Sequence, residues 1–182
     1  LKRRDFTMNA IAMDANEHII DRYGGQQENA QKTIRAVGNP SARFSEDALR
    51  MLRAVRFSAQ LGFMIEQATL EAIKEHAQEI SFVAIERIAA EFEKMLISSS
   101  VKRGIDALVV TNLVDYLPGN IRETQEKWTY FQATEAAVGW AYMAFLNDDW
   151  QSIVHGYRLS NKTKAFIQQV MVAYDKLQEG WQ

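Results

Sequence analysis

From Ser45 onward, apolar residues recur at three- and four-residue spacing, the pattern of helices that turn one face to a core. Ser45 is a good N-cap. The helix it opens is expected to run to about residue 60, where Leu61-Gly62 ends it. A second helix is expected at about 67–79, with Leu70, Ile73, Ala77 and Ile80 on one side. A third, at about 84–96, carries Ile85, Ile88, Phe92, Met95 and Leu96 at core spacing. Ser98-Ser99-Ser100 is a soft joint. Further helices are expected over about 101–116, 124–146 and 161–178.

The first 38 residues read as mixed structure. Asp5 can cap a short helix through Met13, with Phe6, Ala10 and Met13 at helical spacing. His18-Ile19-Ile20-Asp21 and Thr33-Ile34-Arg35-Ala36-Val37 look like short strands, separated by the turn-rich Tyr23-Gly24-Gly25-Gln26-Gln27. Gly38-Asn39-Pro40 breaks the pattern, and a boundary is placed there. The fold class expected is mainly α: a small α+β unit at 1–38, then helices. No internal repeat or low-complexity segment interrupts it.

Composition narrows the possibilities. The chain has 182 residues, of which 47% are hydrophobic and 24% charged, which suits a globular protein with a sizeable core. It has no cysteine, which excludes disulfides, zinc-thiolate sites and cysteine nucleophiles and fits a cytoplasmic location. No apolar run approaches the ~20 residues that span a bilayer. The opening Leu1-Lys2-Arg3-Arg4-Asp5 is not that of a signal peptide, and a start at Leu reads as a fragment or a processed chain. Net charge is −2, but unevenly spread. Residues 1–60 hold 10 Lys and Arg against 7 Asp and Glu, whereas 61–182 hold 11 against 16. An anionic ligand is therefore expected near the N-terminal third.

Two stretches carry candidate chemistry. On a helical wheel over 46–59, Ala48, Met51, Leu52, Val55 and Ala59 share a core side, while Glu46, Asp47, Arg50 and Arg53 share the opposite one. An Asp acceptor beside an Arg fork can match the Watson–Crick edge of cytosine or adenine and reject bases with a different donor order. Equally, Asp47 and Arg50 can form an ordinary helix surface pair. In Arg3-Arg4-Asp5-Phe6-Thr7-Met8-Asn9-Ala10, the arginines can meet phosphates, and Asp5 and Asn9 can reach ribose hydroxyls. The bland reading is a basic terminus, a cap and a core-facing Asn.

Taken together these segments resemble the class II tRNA nucleotidyltransferases and bacterial poly(A) polymerases. Arg3 to Ala10 looks like the family's motif B. Asp21, Gly24-Gly25 and Ile34-Arg35-Ala36-Val37-Gly38 look like motif C. Arg43-Phe44-Ser45-Glu46-Asp47-Ala48-Leu49-Arg50-Met51-Leu52-Arg53-Ala54-Val55-Arg56-Phe57 is very similar to motif D, and Glu86-Arg87-Ile88-Ala89-Ala90-Glu91-Phe92-Glu93-Lys94-Met95 looks like motif E. Residues 98–182 match only as a helical continuation.

The resemblance implies transfer of CMP and AMP from CTP and ATP to a tRNA 3′ end without a nucleic-acid template. It implies that Asp5 and Asn9 contact the sugar, with Arg4, Arg53 and Arg56 on the nucleotide as well. Asp47 and Arg50 would read the base, and Glu46 would brace Arg50. Glu86, Arg87 and Glu91 would hold the helices. The implied division is the end of a nucleotidyltransferase head (1–38), a helical neck (39–97) and part of a helical body (98–182). The implied magnesium ions are held by a pair of Asp residues in the family's motif A, which is not among these residues, so this chain alone is expected to add no nucleotide. A poly(A) polymerase, or a CC- or A-adding specialist, is the near alternative; Ala48 after Asp47 leans toward CCA addition. A non-catalytic helical RNA-binding module would need a continuous basic face in 98–182, yet acidic residues predominate over 61–182.

Elsewhere the sequence reads plainly. His18, His76 and His155 have no ligand spacing. Trp128, Tyr130, Phe131, Trp140, Tyr142 and Phe145 are expected to pack between helices. Lys102, Arg103, Lys162 and Lys164 are expected on a solvated surface.

Overall fold

The computed structural model describes residues 1–180, so the last two residues of the expected body lie outside it. The helical run starts earlier than the spacing indicates, because Asn39 and Pro40 are a helix start and not only a break. Asn39 accepts a hydrogen bond from the Ala42 amide at 2.9 Å, and Pro40 opens helix α2 (Pro40–Glu46) at the position where its lost N–H costs least. The single helix expected from Ser45 is therefore two. At Asp47 the backbone is extended (φ −152°, ψ 102°), and α3 (Leu49–Leu61) begins beyond it, ending at Gly62 with φ 68°.

The N-terminal region departs from expectation too. Asp5 caps no helix. Residues Thr7–Asn9 make one 3-10 turn, and Ile11–Met13 is strand β1, antiparallel to β2 (Ile19–Asp21) with Ile11 opposite Asp21. Pairing within this hairpin outweighs the weak helical spacing. The stretch after β2, expected as a turn, holds a helix, α1 (Gly25–Ala30). Its start is capped from β2: Asp21 accepts from the Gly25 amide at 2.7 Å and the Gln26 amide at 2.9 Å. These backbone bonds, that from Gln26 foremost, hold the Asp21 carboxyl below its usual range.

The first 38 residues and the helices share one core. Strand β3 (Thr33–Ile34) pairs in parallel with β4 (Met64–Ile65), which follows α3. Phe6 meets Phe57 of α3 edge-on, ring centroids 5.9 Å apart. Helix α4 (Gln67–His76) continues as a 3-10 segment, Ala77–Phe82, into α5 (Ile85–Leu96). Ile88, Phe92, Met95 and Leu96 are buried there. Helix α6 is Val101–Val110, with a 3-10 turn at Leu113–Tyr116 after Asn112 (φ 62°) in place of a longer helix. The long helix expected over 124–146 is a 3-10 turn, Gln125–Trp128, and a separate α7 (Ala136–Phe145). An unexpected α8 (Trp150–Gly156), capped by Asp149, precedes α9 (Asn161–Glu179). Trp128 and Trp140 are fully buried and Phe131 stacks on Tyr142 at 4.5 Å, so the aromatic stretch is mostly core; Tyr130 and Phe145 are its exposed members.

α1 packs on the Thr7–Asn9 turn, and Gly25 is the contact. A Cβ at Gly25 would collide with the Thr7 carbonyl oxygen, a backbone atom that cannot swing away. Gly25→Ala is expected to cost about 1–3 kcal/mol, read as a lower Tm by thermal melting. An unchanged Tm would show that α1 does not dock there.

Candidate nucleotide-binding clefts

The sharp turn at Asp47 has a functional consequence. It separates Asp47 from Arg50, so the two do not form a pair on one helix face, and each meets partners from elsewhere in the chain.

Arg50 projects from the first turn of α3 toward the N-terminal segment. Its Nε donates to Asp5 Oδ1 at 3.0 Å, and its Nη1 donates to Glu46 Oε2 at 2.8 Å and to the Arg43 carbonyl at 3.1 Å. The same Glu46 oxygen accepts from Arg43 Nη1 at 2.8 Å. Hydrogen bonds from Arg50 first, then Arg43, hold the Glu46 carboxyl below its ordinary range. Burial works against charge on Arg50, but Glu46 and Asp5 outweigh it and raise its pKa. One turn on, Arg53 Nε lies 2.7 Å from the other Asp5 oxygen, close enough for an ion pair but without hydrogen-bond alignment. Asp5 is thus a two-sided clamp on α3, with its side chain only 13% exposed.

Two clefts flank this lock. One, of about 220 Å³, is lined by Arg3, Arg4, Asp5, Asn9 and Arg53. Three guanidinium groups there face one carboxylate that is already engaged, an arrangement that attracts an anion. The other, about 540 Å³, contains Asp47, Glu46, Glu79, Phe82 and Arg87. There Asp47 Oδ1 accepts from the Leu49 amide at 3.1 Å, and Oδ2 from Arg87 Nη2 at 3.2 Å. The clefts share no residue. The chain Asp5–Arg50–Glu46 joins them.

Most of the residues picked out by sequence meet here: Arg4, Asp5, Asn9, Glu46, Asp47, Arg50, Arg53 and Arg87. Arg56 does not. Its guanidinium is buried in an ion pair with Glu91 of α5, both side chains about nine-tenths buried, and sits 4.2 Å from the Phe57 ring. Glu86 faces the other way and accepts from Arg158 at 2.9 Å. Arg87 and Glu91, four apart on α5, have separate partners and do not pair with each other. Sequence reasoning passed over Arg43, which is buried and ties Glu46, the Val37 carbonyl and the Arg4 carbonyl together. Its signal is the i, i+3 spacing to Glu46, visible only once the helix is started at Pro40. Phe82 and Glu79 of the second cleft were also missed.

Among the described residues no group of three or more His, Cys, Asp or Glu could hold a metal ion. No helix among them is long and apolar enough to cross a membrane.

Residues 1–35 match the family model described as "Poly A polymerase head domain". Residues 62–121 match the model described as "Probable RNA and SrmB- binding site of polymerase A". The chain is 37% identical to a CCA-adding enzyme of Streptococcus mutans over 184 residues, covering 96% of this chain and 46% of that protein. It is 52% identical to a CCA-adding enzyme of Geobacillus over 118 residues, covering 65% of this chain and 29% of that one. Among solved structures, the Bacillus stearothermophilus CCA-adding enzyme in complex with CTP superposes with a TM-score of 0.84 at 34% identity, covering 96% of this chain and 46% of its own. The chain spans about half the length of these relatives at most.

Proposed function

The chain belongs to the tRNA nucleotidyltransferase and poly(A) polymerase family, and on that basis we propose that it is the nucleotide-selecting part of a CCA-adding enzyme, which extends a tRNA 3′ end with CMP and AMP from CTP and ATP. The observation that carries the proposal is the pair of clefts joined by Asp5, Arg50 and Glu46: an arginine-lined cleft for phosphates beside a cleft holding the Asp47 acceptor. Arg4 and Arg53 hold the triphosphate, with Arg3 beside them. Asp5 and Asn9 meet the sugar. Asp47 and Arg50 read the base edge, and Glu46 braces Arg50. Arg56 and Glu91 lock α3 to α5, and Glu86 and Arg87 fix the N-terminal turn of α5. Residues 1–38 are read as the end of a head unit, 39–97 as the neck and 98–182 as part of the body.

In the reaction proposed, the RNA 3′-hydroxyl attacks the α-phosphate and pyrophosphate departs. Magnesium would neutralise the phosphate charge, but the residues described here do not fit its site, since no group of three or more His, Cys, Asp or Glu among them could hold a metal ion. The metal-binding carboxylates are therefore assigned to residues of the same protein beyond this chain. A cytoplasmic location, with its tRNA and nucleotides, completes the reading. The test uses the full-length protein that carries this chain, with a tRNA lacking its CCA. Addition in the order C, C, A is expected. A run of A residues would mark a poly(A) polymerase and overturn CCA addition, and a stop after C, C or a single A would mark a specialist.

A further inference from the structure

Phe82 is 86% exposed although its neighbours are firmly held. Ile80 is fully buried, the Val83 amide donates to the Ile80 carbonyl at 3.1 Å, and Val83 packs against the core. The ring is thus presented to solvent by a fixed turn, its face free to meet a flat ligand. It stands on the wall of the 540 Å³ cleft that contains Asp47.

The charge of this cleft says what it accepts. Asp47 and Glu79 line it with one guanidinium, Arg87, which is bound to Asp47, and with Glu46, whose carboxylate is already held by Arg43 and Arg50. A triphosphate is drawn to the arginine cleft instead, where Arg3, Arg4 and Arg53 face one carboxylate. An uncharged, flat, amine-bearing group fits both the ring and the carboxylates. We propose that Phe82 is a stacking platform for the base of the RNA's 3′-terminal nucleotide. This rests on the functional reading above and adds the place of the RNA end to it.

The primer end is favoured over the incoming base by the demands on each. As C, C and A are added, the terminal base changes from one step to the next, so its seat must accept several bases. Stacking does that, because every base has a π-face. The incoming base must be discriminated, which calls for the polar groups of Asp47 and Arg50.

The test is steady-state kinetics of the full-length protein carrying Phe82→Ala or Phe82→Trp, varying tRNA at saturating CTP and CTP at saturating tRNA. Losing one base–aromatic stack is expected to raise the KM for tRNA roughly fivefold to a hundredfold, with the KM for CTP changed less than about twofold, and Phe82→Trp should restore the tRNA value. Because the ring is exposed, Tm should not move, so the loss cannot be attributed to unfolding. An unchanged KM for tRNA overturns the proposal. A matching rise in the KM for CTP also overturns it, placing the incoming base on the ring. If the unmodified protein adds no nucleotide to tRNA, the functional reading itself fails and takes this proposal with it.

Discussion

Glu91→Gln, or Arg56→Met, is expected to destabilise the chain by about 3–5 kcal/mol. The two side chains form an ion pair between α3 and α5 with both groups about nine-tenths buried. Arg56 also donates from Nη1 to Gln60 at 3.0 Å, while Glu91 has only the more distant, half-exposed Lys94 amine at 3.8 Å as a second partner. Removing either member leaves the other's charge inside with little compensation, which is far more damaging than losing a surface pair. For a chain of this length the loss corresponds to a fall in Tm on the order of 10 °C. The double variant Arg56→Met with Glu91→Leu should recover much of it, because two apolar groups of similar size leave no stranded charge. The pattern separates two roles for Arg56. If it met the nucleotide, Arg56→Met would weaken CTP binding with Tm preserved, and Glu91→Leu would rescue nothing. Thermal melts of the three variants beside CTP titrations decide it.

How far the sequence speaks for itself depends on how local each determinant is. Helix α5 is legible because Ile88, Phe92, Met95 and Leu96 follow one face and are all buried. Gly62 ends α3 where its position after Leu61 indicates. The start of the helical region misleads for a physical reason: Ser45-Glu46-Asp47 carries the cap and the acidic first turn of a helix N-terminus, yet it lies at the end of α2, whose own cap is Asn39. The local signal was satisfied one helix too late. Asp5 shows the other kind of failure. Read locally it is an N-cap, but its partners Arg50 and Arg53 lie more than forty residues on, and an ion pair at that separation leaves no trace in spacing. The Arg56–Glu91 pair, 35 residues apart, is hidden in the same way. The helical wheel gives Arg56 no place, and the resemblance puts it on the nucleotide, whereas it is buried against Glu91. The resemblance to motifs B, D and E brought the right segments together but could not assign each side chain its partner.

Asp47→Asn and Arg50→Lys in the full-length protein should damage base choice more than any other single changes, raising misincorporation of UMP and GMP relative to CMP and AMP. Asp47 presents both oxygens into the cleft wall, one to the Leu49 amide and one to Arg87. Arg87 is 55% exposed, so this pair contributes little to stability, on the order of 0–1 kcal/mol, and can open to let the carboxylate accept an exocyclic amine. Both cytosine and adenine carry that amine and uracil does not. Asn keeps the shape but puts a donor where only an acceptor fits. Arg50 differs in being held by Asp5, Glu46 and the Arg43 carbonyl. Truncating it would leave Asp5 half-paired and blur base choice with unfolding. Lys keeps the charge near Asp5 and Glu46 while losing the planar fork that fixes donor direction. Each lost charge-assisted hydrogen bond is expected to cost about 1.5–3 kcal/mol of discrimination, roughly tenfold to over a hundredfold. Relative kcat/KM for the four nucleotides, measured beside Tm, reads the two effects apart. A preserved preference for C and A with a lowered Tm would mean that Asp47 and Arg50 only tie α2, α3 and α5 together, and the base-reading role would be lost.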